Sequence, residues 1–314
     1  MNFDASEYVK KKLESLRREL SGVKATEILS ACSGGVDSTV ATILVAKAIE
    51  GPIKAVFIDD GLRRIGEGER VVKTLRNFGL DAFVFDAKEE VLKALKDKVD
   101  PEEKRKAFRD AFYTTLGKII RQKGAKFLVQ GTIAADIAET VSGVKTQHNV
   151  LEQLGIDTAK YGFRVIEPIK DLYKWQVRLV AKELGLPDEI VHRRAFPGPG
   201  LAIRIVGEVT WEKLEILRKA TKIVEEETAD IEAFQSFAVL LDLKATGVKD
   251  NKRTYGFITV VRVVASEDAM TAKFVEIPYE RLRKISKRIT EEIPEITRVL
   301  YDVTDKPPAT IEFE

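Results

Sequence analysis

An apolar run, Glu27-Ile28-Leu29-Ser30-Ala31, ends in Cys32-Ser33-Gly34-Gly35-Val36-Asp37-Ser38, and an amphipathic segment from Thr39 to Ile49 starts at once. This succession of buried strand, tight glycine-bearing turn and helix constrains the chain more than any other stretch. Glycine lets the backbone approach a ligand closely, and the turn aims unpaired N–H groups at one point beside the positive end of the helix dipole. Such a junction is an anion site, most often one for phosphate.

The type of phosphate site follows from what the turn lacks. A Walker loop places Gly-Lys-Ser/Thr after four intervening residues, and no Lys follows the glycines here. The dinucleotide fingerprint needs later glycines that the turn does not supply. The six residues Ser33-Gly34-Gly35-Val36-Asp37-Ser38 resemble the pyrophosphate loop of the ATP pyrophosphatases, enzymes that cleave ATP between the α- and β-phosphates and transfer AMP. A Ser/Gly-rich turn with no ligand is the alternative; the full match between a strand and a helix weighs against it.

The pattern along the chain is α/β at first. Val9, Leu13, Leu16 and Leu20 give a helix over about Tyr8–Leu20. Strands are expected at Ile53–Ile58, Ala82–Phe85, Lys126–Gln130 and Arg164–Ile166. Helices are expected over Glu67–Phe78, Val91–Leu95, Pro101–Gln122 and around Tyr173–Leu184. This alternation predicts a doubly wound parallel sheet, whose ligands lie beyond the carboxyl ends of its strands. The rule gathers Ser33–Ser38, Asp59–Arg64 and Gly131–Thr132 on one rim as an ATP site. Residues from Ile133 to about Gly162 have weak periodicity and carry Asp136, Glu139, Lys145, Gln147, His148 and Asn149, a polar set suited to a metal–triphosphate complex or to a plain solvated loop.

Next come His192-Arg193-Arg194-Ala195-Phe196-Pro197-Gly198-Pro199-Gly200, a rigid turn led in by two arginines that suit a ligand phosphate. The domain boundary is set there, giving residues 1–193 and 194–314. The second part reads as α+β. A short strand is expected around Ala202–Val206, a helix over Trp211–Glu227, and strands at Ser236–Leu241 and Tyr255–Val264 with a turn at Gly247 and Asp250-Asn251. A helix over Tyr279–Glu292 and a strand at Arg298–Val303 follow, and the end of the chain is expected to be docked, where it can hold a site.

Four separated segments together resemble the GMP synthase family, in its synthetase part: Ser33–Ser38, Gly131-Thr132 with Asp136-Ile137-Ala138-Glu139 and Lys145-Thr146-Gln147-His148-Asn149, the turn Arg194–Gly200, and Lys306-Pro307-Pro308-Ala309-Thr310-Ile311-Glu312. The resemblance implies an adenine nucleotide alpha-hydrolase-like ATP pyrophosphatase domain followed by a C-terminal dimerisation and XMP-binding domain. It implies amination of xanthosine 5′-monophosphate (XMP) to GMP through an adenyl-XMP intermediate, with AMP and pyrophosphate released. By motif position Ser33, Gly34, Gly35, Val36, Asp37, Ser38, Thr39, Asp59, Gly131 and Thr132 would bind ATP. Asp136, Glu139 and Lys145 would serve the reacting centre, Asp37 would help hold Mg2+, and Arg194, Lys306, Thr310, Ile311 and Glu312 would bind XMP. The segment departs from the family where Gln147 stands in place of a frequent second histidine, and Phe313 where Trp is common.

Charge and cysteine content exclude several classes. The 314 residues carry 52 basic and 50 acidic side chains, which gives no general affinity for nucleic acid. No apolar run approaches a membrane span, and a cytoplasmic location is expected. The single Cys, Cys32, and two His rule out an intramolecular disulfide and argue against a glutaminase within the chain. Ammonia is therefore expected free or from a separate glutamine amidotransferase subunit, and the synthetase is expected to be a homodimer. The sequence leaves two other readings open. One is another ATP pyrophosphatase ligase, of NAD synthetase or tRNA sulfur-transferase type; the other is a non-catalytic nucleotide sensor.

Overall fold

A computed structural model describes residues 3–49, 51–134, 136–137, 163–267 and 269–314. The chain divides into two compact units. The first comprises Met1–Asp59, Gly66–Ala87 and Tyr113–Arg193; the second comprises Asp60–Ile65, Lys88–Phe112 and Arg194–Glu314.

In chain order as far as Arg193, the described elements are α1 (Ala5–Glu19), β1 (Ile28–Ala31), α2 (Val36–Ile49), β2 (Lys54–Asp59), α3 (Glu67–Asn77) and β3 (Asp81–Asp86), then α4 (Lys88–Leu95), α5 (Pro101–Lys123), β4 (Phe127–Val129), β5 (Arg164–Ile166), α6 (Lys174–Glu183) and α7 (Asp188–Val191). The strands of the first unit form one all-parallel sheet in the order β3-β2-β1-β4-β5. The chain reverses its direction of travel across the sheet between β1 and β4, and the crevice beyond their carboxyl ends is the ligand position of such sheets. β1 is buried on both faces, as a central parallel strand must be.

Helix α2 corrects two expectations. It begins at Val36 rather than Thr39, because the Gly35 carbonyl already accepts the Thr39 N–H at 3.1 Å. It is also buried nearly all round rather than amphipathic: Val40, Ala41, Ile43, Leu44 and Val45 are all within 1 % of complete burial. The helix packs against α1 and α6 as well as the sheet, so its amide end is held rigidly at the crevice.

The second unit adds β6 (Ile205–Val206), α8 (Trp211–Glu227), β7 (Gln235–Lys249), β8 (Lys252–Ala265), β9 (Lys273–Phe274), α9 (Tyr279–Glu292) and β10 (Ile296–Tyr301). Its sheet runs β10-β8-β7-β6, with β9 also on β8. α8 buries Leu214, Leu217, Ala220, Thr221 and Val224 at helical spacing and packs on β7, while α9 packs on β10 and α8. Where a strand was expected around Ala202, Gly200–Arg204 form a 3-10 turn before β6. The turn between β7 and β8 is Asp250-Asn251 alone, both at positive φ (50° and 59°). Gly247 lies within β7, where a Cβ would come 2.9 Å from the Thr297 side chain. The last strand begins two residues early, at Ile296, and no strand follows it apart from a single bridge between Ala272 and Lys306. The docked end is present: Arg105 Nη2 donates to the Glu314 carbonyl at 2.5 Å, and Lys104 pairs with the Glu314 carboxylate. Among the described residues no helix is long and apolar enough to cross a membrane.

Candidate functional site

The first unit builds an anion cradle at the crevice. After β1, Gly34 adopts φ 78°, a backbone state that side chains resist, and the chain turns into α2. Among the described residues no backbone N–H from Ser33 to Ser38 has a hydrogen-bond acceptor. The carbonyl of Gly35 is the reverse: it takes the Thr39 N–H, the Ser38 hydroxyl at 3.1 Å and the Thr39 hydroxyl at 2.8 Å. A row of donors without partners at a helix N-terminus, with the neighbouring carbonyl satisfied from within, is a geometry for phosphate.

β4 closes the cradle from the side. A Cβ at Gly131 would sit 2.6 Å from the Ser38 nitrogen, so only glycine lets the two segments touch. Thr132 is fully buried and donates from its hydroxyl to Glu167 at 2.6 Å. Asp59 ends β2 and accepts the Ala87 N–H on its carbonyl at 2.9 Å. Thus Ser33–Thr39, Asp59, Gly131 and Thr132 all lie at carboxyl ends of strands of one sheet. Asp136 accepts the Ile133 N–H at 3.0 Å, capping the turn that follows Thr132. Glu139, Lys145, Gln147, His148 and Asn149 lie outside the described residues.

Lys174, the first residue of α6, was not singled out from the sequence. Its Nζ lies 2.5 Å from Asp37 Oδ2. The signal was available: a cation at a helix N-terminus opposes the dipole and needs a compensating anion. The other oxygen of Asp37, Oδ1, is buried without a hydrogen-bond partner among the described residues.

The second unit holds the residues expected for XMP, and there buried arginines do the organising. Arg262, 1 % exposed near the carboxyl end of β8, pairs with Asp302 at 2.5 Å and donates to the carbonyls of Thr304, Thr310 and Ile311 at 3.1, 2.6 and 2.9 Å. It therefore shapes the whole terminal segment that carries Lys306 and Glu312. Arg204, equally buried, lies 4.8 Å from the Phe196 ring and 3.9 Å from the Phe237 ring and pairs with Glu312 through two bonds of 2.8 and 2.9 Å. Lys306 Nζ donates to the Ala269 carbonyl at 2.7 Å, Thr310 donates its hydroxyl to the Glu312 carbonyl, and Ile311 packs against Val264 and Ala272.

Arg194, expected at a ligand phosphate, lies at the carboxyl end of α8. Its guanidinium donates to the Thr228 hydroxyl and carbonyl, the Ser236 hydroxyl and the Ile231 carbonyl, at 3.2, 2.7, 2.5 and 2.6 Å. It closes the carboxyl end of α8, where carbonyls lack partners and attract a cation. Burial is the main reason its pKa falls below the ordinary arginine value, offset in part by Glu225 and Asp230.

Known proteins share both units. A family model described as GMP synthase C terminal domain matches residues 222–313, and one described as NAD synthase matches residues 8–236. The chain is 51% identical to a subunit of glutamine-hydrolyzing GMP synthase from Methanocaldococcus jannaschii, over 99% of this chain and 100% of that one. The same subunit from Methanopyrus kandleri and from Archaeoglobus fulgidus is 49% and 50% identical, each over 99% of this chain and 100% of its own length.

Proposed function

Because the chain belongs to the GMP synthase family, as the synthetase subunit of a two-subunit enzyme, we propose that it carries out the ATP-dependent amination of XMP to GMP. The observation that carries the reading is the run of N–H groups from Ser33 to Ser38, without acceptors among the described residues, at the crevice of the parallel sheet. The C2 oxygen of XMP is a poor leaving group. Its attack on the α-phosphorus of ATP makes an O–P bond and breaks the bond between the α- and β-phosphates, so that pyrophosphate departs. Ammonia then adds at C2, the adenylyl oxygen leaves with AMP, and a proton is lost to give GMP.

The residues act chiefly by positioning and charge neutralisation. The N–H groups of Ser33, Gly34, Gly35, Val36, Asp37 and Ser38 grip the leaving diphosphate, with Thr39 bracing the Gly35 carbonyl behind them. Gly131 and Thr132 border the diphosphate, and Asp59 lies toward the adenosine. Asp136 with Glu139 and Lys145 serves the reacting centre, with Lys145 countering phosphate charge. Arg194, Lys306, Thr310, Ile311 and Glu312 form the XMP surface, and Arg194 also seats that unit's turn on α8. The donor set fits magnesium: Asp37 Oδ1 is an anionic oxygen buried without a partner among the described residues, beside the diphosphate donors. Mg2+ bound there would neutralise the departing pyrophosphate.

A separate glutamine amidotransferase subunit supplies the ammonia, and a second copy of the chain pairs through the second unit. Mixing the chain with XMP, ATP, magnesium and ammonium tests the reading. Equal amounts of pyrophosphate, AMP and GMP are expected. Binding of ATP and XMP without pyrophosphate release would leave only a sensor. Sedimentation at micromolar concentration tests the pairing, and a monomer there would refute it.

A further inference from the structure

The cradle rests on a support that the mechanism above does not use. A loop that turns its N–H groups toward an anion must turn carbonyls the other way, and each inward carbonyl needs a donor. Gly35 O is served by Thr39 and Ser38, as described. Gly34 O is served by a side chain far away in sequence: Arg193 Nη1 donates to it at 2.8 Å. Arg193 is in turn held by Glu67, whose Oε1 lies 2.5 Å from Nη2 and whose side chain is only 4 % exposed in the first turn of α3. The fit is close, since a Cβ at Gly34 would come 2.3 Å from Val71 of α3 and 2.9 Å from Arg193 Nη1.

We infer that Arg193, fixed by Glu67, is a positioning residue that locks the Gly34 peptide so that the neighbouring N–H groups converge on the diphosphate of the nucleotide. The inference rests on the reading of Ser33–Thr39 as a diphosphate site. A planar guanidinium suits the task because one nitrogen can hold the carbonyl while another holds the carboxylate. Glu67 also balances the positive charge behind the loop. The Arg193–Glu67 pair thus sets the loop's shape more than its potential.

The test uses the full chain with Arg193→Gln, Arg193→Lys and Glu67→Gln, measuring thermal melting, equilibrium binding of magnesium-ATP without XMP, and pyrophosphate release with ATP and XMP varied in turn. Arg193→Gln should weaken ATP binding and raise KM for ATP by about tenfold or more, as expected for losing a charge-assisted hydrogen bond. KM for XMP should stay within about twofold. Arg193→Lys should recover part of the loss, because one ammonium reaches the carbonyl but cannot span both partners, and Glu67→Gln should fall between. A folded Arg193→Gln protein with parental ATP affinity overturns the inference. So does a lowered melting temperature with KM unchanged for both substrates, which marks a merely structural residue. If Arg193→Gln does not fold, parental ATP affinity in both other variants overturns it equally. A parent that binds ATP but makes no GMP refutes the substrate reading, while the binding series still decides the role of Arg193. A parent that binds no ATP overturns both.

Discussion

A methyl group at Gly131 would lie 2.6 Å from the Ser38 nitrogen and 2.7 Å from the Asp37 carbonyl carbon. Both are backbone atoms at the start of a buried helix, so the helix end itself must yield. Gly131→Ala should cost about 1–3 kcal/mol of stability by overpacking. It should also raise KM for ATP more than KM for XMP, because it is the N–H groups that move; melting curves and paired saturation curves check this. Arg204 offers the opposite case. Replacing it with Met leaves Glu312, 15 % exposed, without its partner and should cost about 3 kcal/mol. Adding Glu312→Gln should recover most of that stability without recovering XMP affinity, if Glu312 touches the nucleotide. Calorimetry and XMP titration read the two effects separately. At this scale the sequence displayed Ser33–Ser38 because those residues are contiguous. It hid Lys174, and it marked Arg193 only as an arginine before the rigid turn, because their partners Asp37 and Gly34 lie 137 and 159 positions away.

Among elements, those with a strong local signature were legible and those finished by distant contacts were not. The helix Trp211–Glu227 was read to the residue, since Thr210 caps it by accepting the Lys213 N–H and its apolar face recurs with helical period. The first turn of α2 was missed because Asp37 and Ser38 are polar, and only the bond from Thr39 to Gly35 makes them helical. The terminal segment has no period at all; its path is drawn by Arg262, a charge in the apolar run Val260–Val264 that signals a buried partner. The β7–β8 hairpin was read too short, because its outer half alternates polar and apolar residues in open solvent, with Leu243, Val248 and Tyr255 63, 78 and 64 % exposed. Its turn also shows where sequence and backbone disagree. Asn251 sits at φ 59°, a state that glycine adopts without strain. Asn251→Gly should therefore stabilise the hairpin by about 0.5–1 kcal/mol, net of the greater freedom of the unfolded chain. Denaturant midpoints check this, with ATP and XMP kinetics unchanged.

The molecule as a whole must obtain nitrogen from somewhere, and its sequence argues against release from glutamine within this chain. An amidotransferase needs a thiolate nucleophile beside a histidine base. The only thiol, on Cys32, is 2 % exposed, and its described polar neighbours are the Ser38 and Thr39 hydroxyls, each at 3.6 Å. Of the two histidines, His192 faces Asp188 across 3.9 Å after α7, and His148 lies outside the described residues. The thiol therefore reads as a small buried side chain under the phosphate loop. The isolated chain should make GMP from ammonium but not from glutamine, and added glutaminase subunit should make glutamine effective. Neutral ammonia is the nucleophile, so at fixed total ammonium the rate should climb as pH rises from neutrality and more of the free base forms. With the glutaminase subunit and glutamine, that climb should flatten, because ammonia released within a complex need not equilibrate with the bulk. Cys32→Ala should leave the ammonium-dependent rate within about twofold. Glutamine turnover by the chain alone, abolished by Cys32→Ala, would contradict the assignment of this chain as the synthetase half.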